Sequence, residues 1–128
     1  MKTFKFIFAL VFVTVLFGGC KYNFIVPEDV IDPNDPNVEE VSFVSDIIPV
    51  FLDNNCTACH DPGGQIPDLT AANAYSSINT TRYINASSPA ESKLYTRPHP
   101  SNTDSHPKYS EAEAALVLTW IQQGAKNN

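Results

Sequence analysis

One five-residue run, Cys56-Thr57-Ala58-Cys59-His60, constrains this chain more than any other feature. Two thiols three residues apart lie on one side of a helical turn, where each can add to a vinyl group of haem and form a thioether. The next residue then presents an imidazole to the iron from the proximal side. The pattern C-x-x-C-H is the attachment sequence of c-type haem. It predicts one covalent haem c on Cys56 and Cys59, with His60 as proximal axial ligand.

Other sites can also use a C-x-x-C pair. A structural zinc site needs four nitrogen or sulfur ligands, and the chain beyond residue 20 offers Cys56, Cys59, His60, His99 and His106. The number of possible ligands therefore does not exclude a zinc site, although in zinc motifs the next ligand usually lies several residues later. A thioredoxin-like pair requires a βαβ pattern, which the sequence lacks. A non-haem protein with a disulfide between the two cysteines is a third possibility. The adjacent histidine favours haem.

The N-terminus has the pattern of an export signal. A short basic start is followed by an apolar run at residues 6–17 and then by Gly18-Gly19-Cys20, as in secretory signals. The run is short for a membrane-spanning helix. Residues 16–20 resemble the lipobox of bacterial lipoproteins, with Phe17 where leucine is commonest. The resemblance implies that residues 1–19 are a lipoprotein signal peptide and that acyl chains on Cys20 anchor the protein to a membrane.

Export agrees with the haem prediction, because bacteria attach c-type haem outside the cytoplasm. We therefore expect a membrane-anchored lipoprotein that faces the periplasm or the cell surface. Lys2 and Lys5 leave with the signal and the acidic residues stay, so the mature chain is more negative than the net charge of -6 of the whole sequence. This charge disfavours nucleic-acid binding. It favours redox partner proteins with a basic docking surface.

Residues 20–40 are predicted to be a lipidated, acidic, proline-rich tether. The stretch from residue 27 to residue 37 contains three prolines with several carboxylates and no apolar periodicity, so we expect no packed element there. At about 3 Å per residue, such a segment reaches up to about 60 Å. The folded domain is predicted to comprise residues 41–128.

The pattern in this domain is helical throughout. Ser45 is the predicted N-cap of a first helix that runs to Asn54, and Thr70 is the predicted cap of a second helix over 71–78. Capping boxes beginning at Ser88 and Ser110 predict two more. The last helix has an apolar stripe and ends at Gly124 in a C-cap position.

No alternating strand pattern of convincing length appears, so the predicted fold class is all-α. We expect the first and last helices to cross beside the haem, with Phe51 and Trp120 in contact. Both residues would also serve as ordinary core.

The domain resembles a class I-type monohaem cytochrome c, and in particular the short lipoprotein cytochrome domains common in Bacteroidetes. The resemblance lies in the opening helix and haem motif (41–60), a middle segment (89–95) and the C-terminal helix with its tail (118–128). It implies a small cytochrome c-like helical domain around one haem.

The second axial ligand departs from this family's usual pattern. A methionine in the loop before the last helix normally fills that position, but Met1 is the only methionine. His106-Pro107 stands where the family often has methionine followed by a small residue or proline, which favours His106 as the distal ligand. His99 and an open site are the alternatives. Because methionine raises the potential of cytochromes c, we expect His/His ligation to give a lower one.

The predicted function is that of a single-electron carrier between exported or membrane redox partners. No catalytic residues are predicted, because the chain has no paired-carboxylate motif and no nucleophile with a local base. The alternative is a haem enzyme or a gas or ligand sensor with an open sixth coordination site. That alternative requires both His99 and His106 to stay off the iron.

Overall fold

The computed structural model describes residues 31, 32, 35 and 37–128, so the predicted signal peptide, Cys20 and much of the predicted tether lie outside the described residues. Within the described part the regular structure is helical and contains no strand, which confirms the predicted all-α class. The α-helices in that part, in chain order, are α1 (Ile48–Asp53), α2 (Ala74–Ile78), α3 (Lys93–Thr96) and α4 (Glu111–Gln122). A π-helical turn at Phe43–Ile47 leads into α1, and 3-10 turns occupy Cys56–Ala58 and Pro89–Glu91.

Helical structure begins at Phe43, before the predicted start at Ser45. The N-cap is Ser42, whose hydroxyl oxygen accepts a hydrogen bond from the N–H group of Ser45 at 3.2 Å. The N–H group of Ile47 reaches five residues back to the carbonyl of Ser42. Pro49 follows this wide turn, and its ring would clash with the carbonyl four residues earlier in a regular α-helix. The prediction that Ser45 caps the helix was therefore wrong.

The two middle helices are shorter than predicted. The helix expected over 71–78 begins only at Ala74, because the hydroxyl of Thr70 donates to Asp68 Oδ1 at 2.6 Å. The predicted capping box at Ser88 is also wrong. The Ser88 hydroxyl makes no cap bond, and the side chain of Asn85 accepts the Ser88 N–H group instead at 3.1 Å. A local side-chain bond has replaced the cap in both places.

The last helix, α4, agrees with its prediction. Ser110 Oγ accepts from the N–H group of Glu113, and the Glu113 carboxylate accepts from the N–H group of Ser110, which completes the predicted capping box. Beyond the C-terminal end, Gly124 has a φ of +98°. An L side chain is strained there and glycine is not, so the predicted end of the helix is confirmed.

The hydrophobic core lies where the first helical segment crosses α4. Trp120 is 1 % exposed and packs against Phe43, with the ring centroids 5.3 Å apart. Phe43 also contacts Tyr75 edge-on at the same distance. The crossing was predicted, but the aromatic partner of Trp120 is Phe43 rather than Phe51. Phe51 is fully buried elsewhere in the same core.

The two ends of the domain are joined beside the C-terminal end of α4. Gln123 Oε1 accepts from the N–H group of Val41 at 2.8 Å, and its Nε2 donates to the carbonyl of Glu39 at 3.0 Å. Lys126 forms an ion pair with Glu40. Contacts with the domain thus begin two residues before Val41, the predicted boundary. In the described part of the chain, no helix combines the length and the apolar character needed to cross a membrane.

Candidate functional site

The cysteine motif follows α1 almost directly. Asn55 turns the chain with a left-handed φ of 53°, and Cys56–Ala58 then form one 3-10 turn. The carbonyl of Cys56 accepts from the N–H groups of Cys59 at 3.2 Å and of His60 at 3.0 Å. These bonds place the thiols and the imidazole on consecutive parts of one turn.

Both thiols are free rather than joined in a disulfide. Cys56 is half-buried and packs against the hydrophobic core, whereas Cys59 is exposed. Burial raises the pKa of the Cys56 thiol. The motif therefore presents one sulfur from the core and one from the surface.

The His60 ring is held by the segment that follows it. Its Nδ1 lies 2.9 Å from the carbonyl oxygen of Pro67 and 3.1 Å from that of Gln65. A carbonyl oxygen can only accept a hydrogen bond, so Nδ1 carries the proton in the neutral ring. The lone pair of Nε2 is then available for a metal. Metal-binding histidines generally have such a backbone partner on the other ring nitrogen.

The turn that carries these carbonyls is tight. The N–H group of Gln65 donates to the carbonyl of Cys59 at 2.8 Å, which folds the chain back over the motif. A Cβ atom at Gly64 would lie 2.6 Å from that carbonyl and would also meet the side chain of Asp61. Only glycine fits here without displacing the motif.

His106 lies next to His60, although the two residues are far apart in the sequence. The centroids of the two imidazole rings are 6.2 Å apart, and the ring planes are inclined by 57°. His106 Nδ1 is 2.8 Å from the carbonyl oxygen of Pro107. This ring therefore also carries its proton on Nδ1 and leaves Nε2 free. The hydrogen-bond partner of this ring is therefore a backbone carbonyl.

His99 has a different environment. Its Nδ1 accepts from the backbone N–H group of Ser101 at 3.1 Å, and its ring packs edge-on against Tyr95 with centroids 4.8 Å apart. A ring nitrogen that accepts a hydrogen bond has no proton, so the neutral His99 ring carries its proton on Nε2. The structure thus places the His106 ring next to His60, whereas the His99 ring contacts Ser101 and Tyr95.

Zinc was the main competing use of these residues. In the described part of the chain, which includes Cys56, Cys59 and the three histidines, no group of three or more His, Cys, Asp or Glu side chains could hold one metal ion. The arrangement is instead two thiols on the turn of His60, whose ring lies next to that of His106.

The start of α4 borders the cysteine motif. Glu113 Oε1 accepts a hydrogen bond from the side-chain amide of Asn54 at 2.6 Å, while its other oxygen completes the cap of α4. The Tyr109 hydroxyl is near enough to Cys56 and Glu113 to be affected by their charges, and burial is the main reason that its pKa is raised. Glu113 thus ties the end of α1 to the start of α4 beside Cys56.

Several of these positioning groups were missed in the sequence. The carbonyls of Gln65 and Pro67 are backbone groups, so their role cannot be predicted from the residue type. Glu113 was recognised as a capping residue, but nothing in the sequence indicates the reach of its second oxygen to Asn54. Asp104 contacts the backbone of His106 rather than its ring, because its Oδ1 accepts from the His106 N–H group at 3.0 Å. The hydrogen bond from Lys108 holds the pKa of Asp104 below its usual value.

The family model described as "Cytochrome c" matches residues 49–125, a span that contains the cysteine motif, His99, His106 and α4. Comparison with the curated proteins and with the solved structures gives no match.

Proposed function

This chain belongs to the cytochrome c family, and on that premise we propose that it is a lipid-anchored monohaem electron carrier of class I type with His60 and His106 as axial ligands. Family membership implies a covalently bound haem c and a role in electron transfer. The axial pair, the anchor and the partners are the proposed parts.

The described residues fit a c-type haem. The thiols of Cys56 and Cys59 are both free, as thioether formation requires, and they lie on the turn that carries His60. The Nε2 atom of His60 is available to iron because the carbonyls of Gln65 and Pro67 hold the proton on Nδ1. When bound, the haem supplies a reversible one-electron couple at its iron.

The separation of the two imidazole rings carries the proposal. A metal–imidazole bond of about 2.0–2.1 Å on each side, plus about 1.1 Å from nitrogen to ring centre, puts the centres of two axial rings about 6.3 Å apart. The centroids of His60 and His106 are 6.2 Å apart. Both rings also carry a free Nε2. Two rings at this distance would hold one iron between their Nε2 atoms, which supports the pair.

His99 is the less suitable ligand. Binding iron through Nε2 would require the proton of His99 to move to Nδ1. That atom now accepts a hydrogen bond from the Ser101 N–H group, and the bond would be lost. The ring would also have to leave its contact with Tyr95. Each change costs interactions that His106 does not lose.

The proposed location rests on the sequence. The lipobox-like residues 16–20 support a signal peptide that ends at Gly19 and a lipidated Cys20. A mature lipoprotein of this kind faces the periplasm or the cell surface. Its acidic charge suits redox partners with a basic docking surface.

Electron transfer and the alternative, an open-site enzyme or sensor, predict different spectra for the purified holoprotein. An iron with two histidine ligands gives a six-coordinate, low-spin spectrum with no free position for added CO or cyanide. We expect that spectrum, little response to either ligand on mixing, and a reversible one-electron titration at a potential below the His/Met range. A high-spin spectrum with immediate ligand binding would contradict the electron-carrier proposal and support the open-site enzyme or sensor.

A further inference from the structure

The loop that carries His106 contains no regular helix. It connects α3 to α4 and is closed at its base by a hydrogen bond from the N–H group of Tyr109 to the carbonyl of Pro98, at 2.8 Å. The bond from His106 Nδ1 to the carbonyl of Pro107 is to the next residue in the chain. That bond orients the ring but does not fix it relative to the rest of the domain. Other contacts must hold the loop.

Asp104 makes those contacts. Its Oδ1 accepts from the backbone N–H group of His106 at 3.0 Å and pairs with the ammonium of Lys108. Its Oδ2, on the other side, pairs with the guanidinium of Arg97. Arg97 directly follows α3, while Lys108 lies just before α4. One carboxylate therefore joins both ends of the loop to the backbone of His106.

The two ion pairs of Asp104 differ in exposure. The Asp104 side chain is 28 % exposed and that of Lys108 is 22 % exposed, whereas that of Arg97 is 60 % exposed, so the pair with Lys108 is the stronger one. Hydrogen bonds between charged groups are about twice as strong as neutral ones, and solvent screens partly buried pairs less than exposed ones. The loop end is also shaped by Asn102, whose Oδ1 accepts from the Asp104 N–H group at 3.1 Å.

We propose that Asp104 is a positioning residue. It holds the loop between α3 and α4, here called the distal loop, in place and so controls how often His106 leaves the iron. The inference rests on the axial pair proposed above. Replacing Asp104 with asparagine keeps the shape of the side chain but removes the charge that both cations need. The loop should then open more often, and the iron should lose its distal ligand more often.

Binding of CO to the ferrous holoprotein measures this opening. CO needs a vacant position, so at saturating CO the observed rate becomes the rate at which His106 dissociates. We expect Asp104→Asn to raise that limiting rate about tenfold, which corresponds to about 1.4 kcal/mol. Lys108→Gln and Arg97→Gln leave Asp104 in place and should each raise the rate by a smaller factor. They also keep the proposal testable if Asp104→Asn folds poorly.

Glu40→Gln is the matched control. It removes the same charge and breaks an ion pair of the same type, with Lys126 at the opposite end of α4. Its limiting rate should equal that of the wild type. If the limiting rate of Asp104→Asn also equals that of the wild type, and the rate still saturates with CO, Asp104 has no positioning role. The proposed axial pair is not affected by that result. If wild type and His106→Ala both bind CO without a limiting rate, the axial pair is refuted and this proposal with it.

Discussion

The neighbouring rings of His60 and His106 have the same proton position but are held in place by different contacts. Both direct Nδ1 to a backbone carbonyl and leave Nε2 free. His60 belongs to a tight turn and is bonded to residues five and seven positions ahead. His106 is bonded to its own neighbour, and its loop depends on the charged side chains around Asp104. His60 is thus held by backbone carbonyls, whereas the position of His106 depends on charged side chains of its own loop.

This difference has a thermodynamic consequence. Backbone hydrogen bonds within a short turn are lost only when that turn unfolds. Ion pairs between side chains depend on salt, and they break whenever one of the two side chains moves away. We therefore expect the distal side to open at lower free energy than the proximal side, as irregular segments generally do.

The largest expected effect comes from the cysteines on the proximal side. Replacing Cys56 and Cys59 together with serine removes both thioether bonds, so no covalent haem should remain on the exported protein. Mass spectrometry of the denatured protein, or haem staining after a denaturing gel, checks this. Both single replacements leave one sulfur and serve as controls. Covalent haem on the double variant would contradict the assignment of the motif.

The next largest effect concerns the potential and comes from the distal side. His106→Met creates the His/Met pair that raises the potential of cytochromes c, and axial ligation spans roughly 0.8 V among haem proteins. We expect a potential clearly above that of the wild type in an optical redox titration. His99→Met should leave the potential unchanged. A shift with His99→Met, but not with His106→Met, would exchange the roles of the two histidines.

A methyl group at Gly64 probes the proximal turn. Its Cβ would lie 2.6 Å from the carbonyl of Cys59, so the turn must shift to admit it, and we expect a loss of about 1 kcal/mol, the usual size for a point substitution. Urea unfolding of Gly64→Ala should show this loss. The same substitution in an Asp61→Ala background removes the clash with the flexible side chain and keeps the backbone one, so the loss should persist. Full recovery in that background would mean that the turn can relax around the added methyl group.

The smallest effect distinguishes the two predicted capping boxes. Ser110 joins the distal loop to α4 and makes its cap bond, so Ser110→Ala should lower the free energy of unfolding by about 1 kcal/mol. Ser88 makes no cap bond, and Ser88→Ala should change it by less than about 0.5 kcal/mol. Chemical denaturation at one pH compares the pair. Equal losses would mean that the Ser88 box forms in solution.

Much of this fold could be predicted because its signals are local. The C-x-x-C-H motif, the Ser110 cap and Gly124 each depend on a few consecutive residues, and the structure has the predicted turn, cap and helix end. The predictions that were wrong concern competition between local alternatives. Ser45, Thr70 and Ser88 all have the residue type of a cap, but Ser42 makes the first cap, and the side chains of Asp68 and Asn85 take part in competing bonds near the other two.

The geometry of the site could be predicted less well from the sequence than the fold could. The missing methionine and the pair His106-Pro107 indicated a histidine in the distal loop, but only the folded chain sets the 6.2 Å between the two ring centroids. The choice of Phe43 over Phe51 as the partner of Trp120 likewise depends on the angle at which two helical segments cross. Both residues fit the same apolar pattern, and the pattern alone cannot rank them.

The axial pair is tested most directly by EPR and optical spectra of the ferric holoprotein in three forms: wild type, His106→Ala and His99→Ala. The account predicts a six-coordinate, low-spin iron in the wild type and an unchanged signal in His99→Ala. It predicts a different signal in His106→Ala, with a high-spin component from the vacant position. A His106→Ala spectrum identical to that of the wild type would contradict the account.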